Sequence, residues 1–218
     1  MKTINPLLKR RIVLALAGMI IAGISIGFFK RAFFGVDPFQ CLCAGMDMAF
    51  PSISFGTLYV IVNLVLLSFA LILDRRKIGL ATLINLFLLG YVAEFSQRCV
   101  RGLLPEPTLA VRILLLAVAI VIMCLASAFY FTADLGVSTY DAVALIWSQR
   151  QQKIPFAVCR VITDLICVLG GVALCRAAGF TLSRIAGEVG VGTIITAFFM
   201  GSLIEFFNRR VARPFLER

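Results

Sequence analysis

Apolar runs long enough to cross a bilayer alternate along this chain with short polar or basic turns. The runs fall at about 12–29, 55–73, 78–95, 111–131, 156–177 and 189–207, each near the ~20 residues an α-helix needs to traverse ~30 Å of hydrocarbon. The pattern predicts six transmembrane helices. Two further stretches, 38–50 and 139–152, have helix-start chemistry. Asp37 is placed to cap a helix opening on Pro38, with Gln40 three residues beyond the cap, and Ser138 and Asp141 fill the same two roles in the second stretch. Thirteen helical residues reach only about 20 Å, too little for an ordinary crossing. These segments are expected to be re-entrant or interfacial helices, broken from their neighbours near Gly35 and Pro51 and near Gly136 and Pro155.

The polar and small residues that interrupt the pattern recur. Gly79-x₂-Thr82-x₇-Gly90-x₃-Glu94-Phe95-x₂-Arg98 returns as Gly190-x₂-Thr193-x₇-Gly201-x₃-Glu205-Phe206-x₂-Arg209. Upstream, Gly35-Val36 and Phe55-x₄-Val60-Ile61-x-Asn63-Leu64 return as Gly136-Val137 and Phe156-x₄-Val161-Ile162-x-Asp164-Leu165 at an offset of 101, and ten inserted residues shift the last element to 111. The expected fold is an all-α integral membrane protein, one membrane domain over 1–218 made of repeat 1 (12–98) and repeat 2 (111–209). If the short segments do not cross, each half has three spans and the repeats are inverted. If they cross, each half has four and the repeats are parallel. Basic turns do not decide between these. The six-span arrangement puts Lys2, Lys9, Arg10, Arg11, Arg75, Arg76, Lys77, Arg150 and Lys153 inside, and the eight-span arrangement exchanges Arg75, Arg76 and Lys77 for Arg98, Arg101 and Arg112. Both place the two termini in the cytoplasm. The shortness of the segments and the compact turn Asp74-Arg75-Arg76-Lys77 favour six.

Composition agrees with a membrane protein: 61% of residues are hydrophobic and 15% charged, which excludes an ordinary soluble domain. The net charge of +10 sits at the ends of the apolar runs, where it meets anionic lipid headgroups and sets orientation, so no nucleic-acid partner is expected. The first run follows Lys9-Arg10-Arg11 as a signal peptide would, yet it is as long as the others and Lys30-Arg31 closes it without a cleavage site; a retained helix is expected. Seven cysteines form no CxxC pair and there is no histidine. The thiols read as small apolar packing residues, and no metal or other cofactor is expected.

The repeated pattern of Gly-Val-Asp/Ser-Pro/Thr-aromatic before a short helix, with Gly-x₂-Thr-x₇-Gly-x₃-Glu in the closing one, resembles the YczE/YyaS/YitT-type bacterial membrane proteins from about Gly23 to Arg209. The resemblance implies a small multi-pass protein of the bacterial plasma membrane and transfers no catalytic residue.

Polar groups inside spans cost up to ~3 kcal/mol at the helix centre and so mark candidate sites. Asp164 lies about nine residues into its run with Arg160 one turn earlier on the same face, and the repeat partners of these residues are Asn63 and Tyr59. Arg160 and Asp164 either neutralise each other and join helices, or bind a solute, Asp164 taking a cation or proton and Arg160 an anionic group. Asp37, Gln40, Ser138 and Asp141 join the candidate substrate-binding set. If the short helices dip into the protein, their N-termini suit an anionic solute; if they lie on the surface they are amphipathic interfacial helices. Glu94 and Glu205 each stand four residues before an arginine; they read as snorkelling ion pairs at helix ends or as coupling or gating groups. Gly79, Thr82, Gly90, Gly190, Thr193 and Gly201 read as small residues for close helix packing.

Duplication and intramembrane charge together point to a transporter or channel that moves or binds a small solute or ion, with a midplane site near Asn63, Arg160 and Asp164. The alternative is a non-transporting membrane subunit or accessory protein acting through protein partners or as a homo-oligomer. An intramembrane enzyme is not expected, since the chain has no HExxH, GxSxG or Walker loop.

Overall fold

The computed structural model describes residues 6–75, 78–151, 154 and 156–217; Lys2, Arg76, Lys77, Lys153 and the break expected at Pro155 lie outside them. The described residues are helical and contain no strand. In chain order the elements are α1 (Pro6–Ala32), α2 (Pro38–Ala49), α3 (Phe55–Asp74), a span running Leu80–Leu103, α6 (Leu109–Ala133), α7 (Thr139–Gln151), α8 (Phe156–Ala177), α9 (Leu182–Glu188), α10 (Val191–Phe207) and a C-terminal extension ending in α11 (Arg213–Glu217). The span Leu80–Leu103 is α4 (Leu80–Ile84), a π-helical turn (Asn85–Leu89) and α5 (Gly90–Leu103). Among the described residues five helices are long and apolar enough to cross a membrane, and a sixth span results if Val191–Met200 and Leu203–Leu216, bent by 54° against each other, are counted together. Large apolar side chains left exposed on these helices, such as Val65, Phe69, Ile72, Leu114 and Phe198, form the surface that lipid covers. The protein is a multi-pass membrane protein.

The two short helices form where their caps predict. Asp37 accepts a hydrogen bond from the Gln40 amide at 3.3 Å, ahead of Pro38 at the first helical position. Ser138 accepts from the Asp141 amide at 3.0 Å and donates to the Asp141 carboxylate at 2.6 Å. Neither lies on the surface as an interfacial helix. Phe39, Gln40, Cys41 and Cys43 of α2, and Thr139, Tyr140, Ala142 and Ala144 of α7, are all buried, so faces that sequence periodicity separates into polar and apolar both meet protein.

Helices α1 and α6 share the most extensive interface in the bundle, and they run antiparallel. Arg11 pairs with Asp134 at 3.5 Å at one end, Ser25 donates to the Ala119 carbonyl at 2.7 Å in the middle, and Arg112 donates to the Ala32 carbonyl at 2.8 Å at the other end. α1 packs further on α5, and α6 on α10. The short helices cross over: α2 packs chiefly on α8, and α7 packs on α3 as well as on its chain neighbour α8. The first of these contacts is glycine-lined. A Cβ on Gly45 would stand 2.5 Å from the Gly171 carbonyl oxygen.

The turns that end α1 and α6 cross over in the same way. Among the described residues Phe33 and Asp134 are the non-glycine residues with positive φ, at 57° and 50°, and Gly35 and Gly136 follow at 101° and 109°. The Phe34 carbonyl accepts from the Gly192 amide at 2.7 Å, and the Leu135 carbonyl from the Ala81 amide at 3.0 Å. A Cβ on Gly35 or on Gly136 would stand 2.5 Å from the Gly190 or the Gly79 nitrogen respectively. This corrects the reading of Gly79 and Gly190 as helix-packing residues. Both are extended residues just ahead of α4 and α10, and each donates its amide to the hydroxyl three residues on, Thr82 at 3.1 Å and Thr193 at 3.2 Å. Gly90 does pack closely, against the Tyr59 ring.

Candidate functional site

A cavity of about 120 Å³ lies among α1, α2, α3, the π-helical turn, α6, α7 and α8. It is lined by Asp37, Gln40, Tyr59, Asn63, Ser138, Asp141 and Arg160, seven of the residues singled out from sequence, and by Phe39, Asn85, Tyr130 and Tyr140, which were not. The starts of α2 and α7 meet here because each short helix crosses onto the other half of the chain.

At the centre the Phe39 and Tyr140 rings stack, with centroids 4.9 Å apart and planes 20° from parallel. On one side Tyr59 meets Phe39 edge-on at 5.8 Å and donates its hydroxyl proton to Asn85 at 3.1 Å. Asn63 donates to the Tyr59 carbonyl at 2.8 Å and accepts from Thr139. On the other side the Arg160 guanidinium lies 4.5 Å from the centre of the Tyr140 ring. It pairs with Asp141, and with Asp164 at 3.3 Å, while Tyr140 donates to Asp164. The pair expected from sequence is therefore a triad. Asp164 is buried one layer behind the cavity and reaches it through Arg160 and Tyr140. The polar pairs of the two halves stand on opposite sides of an aromatic stack.

The positive ends of the short helices are already occupied, which corrects their reading as anion sites. Asp37 caps α2, and Ser138 with Asp141 caps α7, so carboxylates of the chain itself fill the positions an anionic solute would take. Arg160 is likewise held by two carboxylates. Burial pushes the Asp37 carboxyl up to about 6, the Gln40 amide and the Arg160 charge pulling it part of the way back.

Two buried polar atoms at the cavity have no hydrogen-bond partner among the described residues, the Gln40 side-chain carbonyl and the Tyr130 hydroxyl. Their residues are only 3% and 6% exposed. An orphaned buried polar atom costs about 1–3 kcal/mol, which a water or a ligand group in the cavity relieves.

Glu94 and Glu205 lie away from this cavity. Each pairs with the arginine four residues on, Glu94 with Arg98 and Glu205 with Arg209 at 2.5 Å. Glu94 also accepts from the Gly56 amide at 3.0 Å, and it lines a separate outer cavity of about 290 Å³ with Asp47, Arg98 and Arg101. Among the described residues no three His, Cys, Asp or Glu side chains are grouped as a metal ion requires, and the seven cysteines are free thiols, six of them buried.

Asn85, not among the residues singled out above, does carry a sequence signal, a carboxamide inside an apolar run; it begins the π-helical turn, a type of helix irregularity frequent at functional sites. Tyr130 carried none, since a tyrosine in a membrane helix most often anchors at the interface, whereas Tyr140, like Phe39, is the aromatic of the repeated motif.

The chain is similar to the Bacillus subtilis (strain 168) protein described as uncharacterized protein YyaS, 22% identical over 201 residues that cover 92% of this chain and 94% of that one. A Haemophilus influenzae protein described as uncharacterized is 27% identical over 139 residues, covering 64% of this chain and 57% of that one. No solved structure matches. Residues 9–209 match the family described as "Family of unknown function (DUF6198)", and the chain belongs to that family.

Proposed function

We propose that this protein binds and moves a small solute or ion across the bacterial inner membrane through the cavity between its two halves, with both termini in the cytoplasm. The observation that carries this reading is the cavity itself: polar residues from both halves line it, and two of its buried polar atoms lack partners. The halves are read as inverted repeats. In support, α1 and α6 are antiparallel although they occupy the same place in the repeated sequence, and the turn contacts of Gly35 with Gly190 and of Gly136 with Gly79 correspond at the sequence offsets. Inverted repeats with a site at their interface are a recurring transporter plan, because rocking one half against the other exposes a fixed site to each side in turn. The reading assigns binding and passage, with no covalent step.

The test is flux into proteoliposomes holding purified protein, over a panel of amines, amino acids, small anions, neutral polyols and inorganic ions. Saturable flux of at least one class is expected, lost when Asp141, Arg160 and Asp164 are replaced together by Gln, Tyr and Asn. Absence of flux across the panel, or undiminished flux in the folded triple variant, overturns it.

A further inference from the structure

We infer that the central cavity is a site for a small nitrogenous monocation, of the primary ammonium or guanidinium class, held by Asp37, the Gln40 carbonyl and the Tyr130 hydroxyl. The inference rests on the solute-cavity reading above and adds the ligand's charge and size.

Charge is the first argument. The charged groups lining the cavity or bonded to those that do are Asp37, Asp141, Asp164 and Arg160, three acids and one base. Arg160 is shared by Asp141 and Asp164, and Asp37 has the Gln40 amide as its hydrogen-bond partner. A partly buried site with surplus carboxylate favours a cation, and Arg160, with both its carboxylates in place, is not free to receive an anion.

Hydrogen bonding is the second. The Gln40 side-chain carbonyl can only accept, is buried and lacks a donor. An N–H group in the cavity supplies that donor, and neither a carboxylate nor a phosphate ester does. The Tyr130 hydroxyl, also unpartnered, accepts a second N–H.

Size is the third. An apolar cavity of about 150 Å³ accommodates benzene, so a cavity of about 120 Å³ takes a ligand of roughly four to six heavy atoms on the same scale. Methylammonium and guanidinium fit, and tetraethylammonium does not.

The experiment is calorimetric titration of the full-length protein in nanodiscs at constant ionic strength. The probes are guanidinium, methylammonium and tetraethylammonium chlorides, urea as the neutral isostere of guanidinium, and sodium formate. Guanidinium or methylammonium is expected to bind at least tenfold more tightly than urea, formate and tetraethylammonium. Asp37→Asn should weaken that binding at least tenfold, and Gln40→Glu should tighten it; Gln40→Glu keeps the inference testable if Asp37→Asn does not fold. Urea or formate binding as well as the cations, or Gln40→Glu weakening cation binding, overturns the cation assignment and leaves the solute-cavity reading standing. Absence of binding by any probe, with flux of some other panel member, does the same. Absence of both binding and flux overturns both readings.

Discussion

On one side of the Phe39–Tyr140 stack stand Gln40, Tyr59 and Asn63; on the other, at the sequence offset of 101, stand Asp141, Arg160 and Asp164. The geometry is matched. Tyr59 leans on the Phe39 ring as Arg160 leans on the Tyr140 ring, and Gln40 and Asp141 both lie in the first turn of a capped short helix. The chemistry is not matched, since three neutral residues occupy the places of two acids and a guanidinium. The neutral side holds its helices together with Tyr59 on Asn85 and Thr139 on Asn63. A local fold of this kind therefore does not require charge.

The largest effect that bears on this contrast is expected from Arg160→Leu. It leaves Asp141 and Asp164 without their shared cation in a poorly solvated site, at a cost of ~3–5 kcal/mol, to be read by unfolding in detergent. Asp164→Asn alone leaves Arg160 its bond to Asp141 and should cost less. The triple exchange Asp141→Gln, Arg160→Tyr, Asp164→Asn transplants the neutral side onto the charged one. It is expected to recover stability to within about 1 kcal/mol, the ordinary cost of a tolerated repacking, while solute flux is lost. A triple variant as unstable as Arg160→Leu would show that the charges are structural and break the comparison.

Next come the two turns. Alanine at Gly35 or Gly136 must adopt φ near +100° with its Cβ 2.5 Å from a backbone nitrogen. Each substitution should cost ~1–3 kcal/mol from backbone strain, with the clash in addition. Equal losses would support the equivalence of the two turns, whereas loss at one position only would show the crossovers to be independent.

Smaller still are the caps. Asp37→Ala and Ser138→Ala each remove the acceptor for the amide three residues on, at ~0.5–2 kcal/mol, measurable as paired shifts in melting temperature. They should diverge with pH. Asp37 is held protonated more readily in the folded protein than in the unfolded chain, so its contribution is fully present below the ordinary aspartate range and is lost as pH rises through about 6. Asp37→Asn should remove that part of the pH dependence, and Ser138→Ala should leave it unchanged. Identical pH profiles for wild type and Asp37→Asn would contradict this.

Local rules made much of this legible. The caps at Asp37 and Ser138 and the proline after Asp37 are contacts within four residues, so sequence alone placed the starts of both short helices. The i,i+4 spacing of Arg160 with Asp164 and of Glu94 with Arg98 gave ion pairs that the structure contains. What was not legible depends on crossing. Asp141 reaches Arg160 from another helix, and Gly79 and Gly190 take their role from turns 56 residues later and 156 residues earlier, with contact partners that no local pattern names: Leu135 for Gly79 and Phe34 for Gly190.

The amino-acid sequence by itself determined that the chain is a helical membrane protein of about six spans with two short capped helices. Bilayer thickness sets helix length, and capping and periodicity are local. Only the tertiary structure decided that the short helices are buried, each on the opposite half, with their own carboxylates over their positive ends. It also decided that Gln40 and Tyr130 meet at one cavity with unpartnered polar atoms. Those outcomes depend on which helices pack together, and in lipid that choice is made by small-residue contacts such as Gly45 on Gly171 and by interhelical hydrogen bonds, which hydrophobic patterning does not encode.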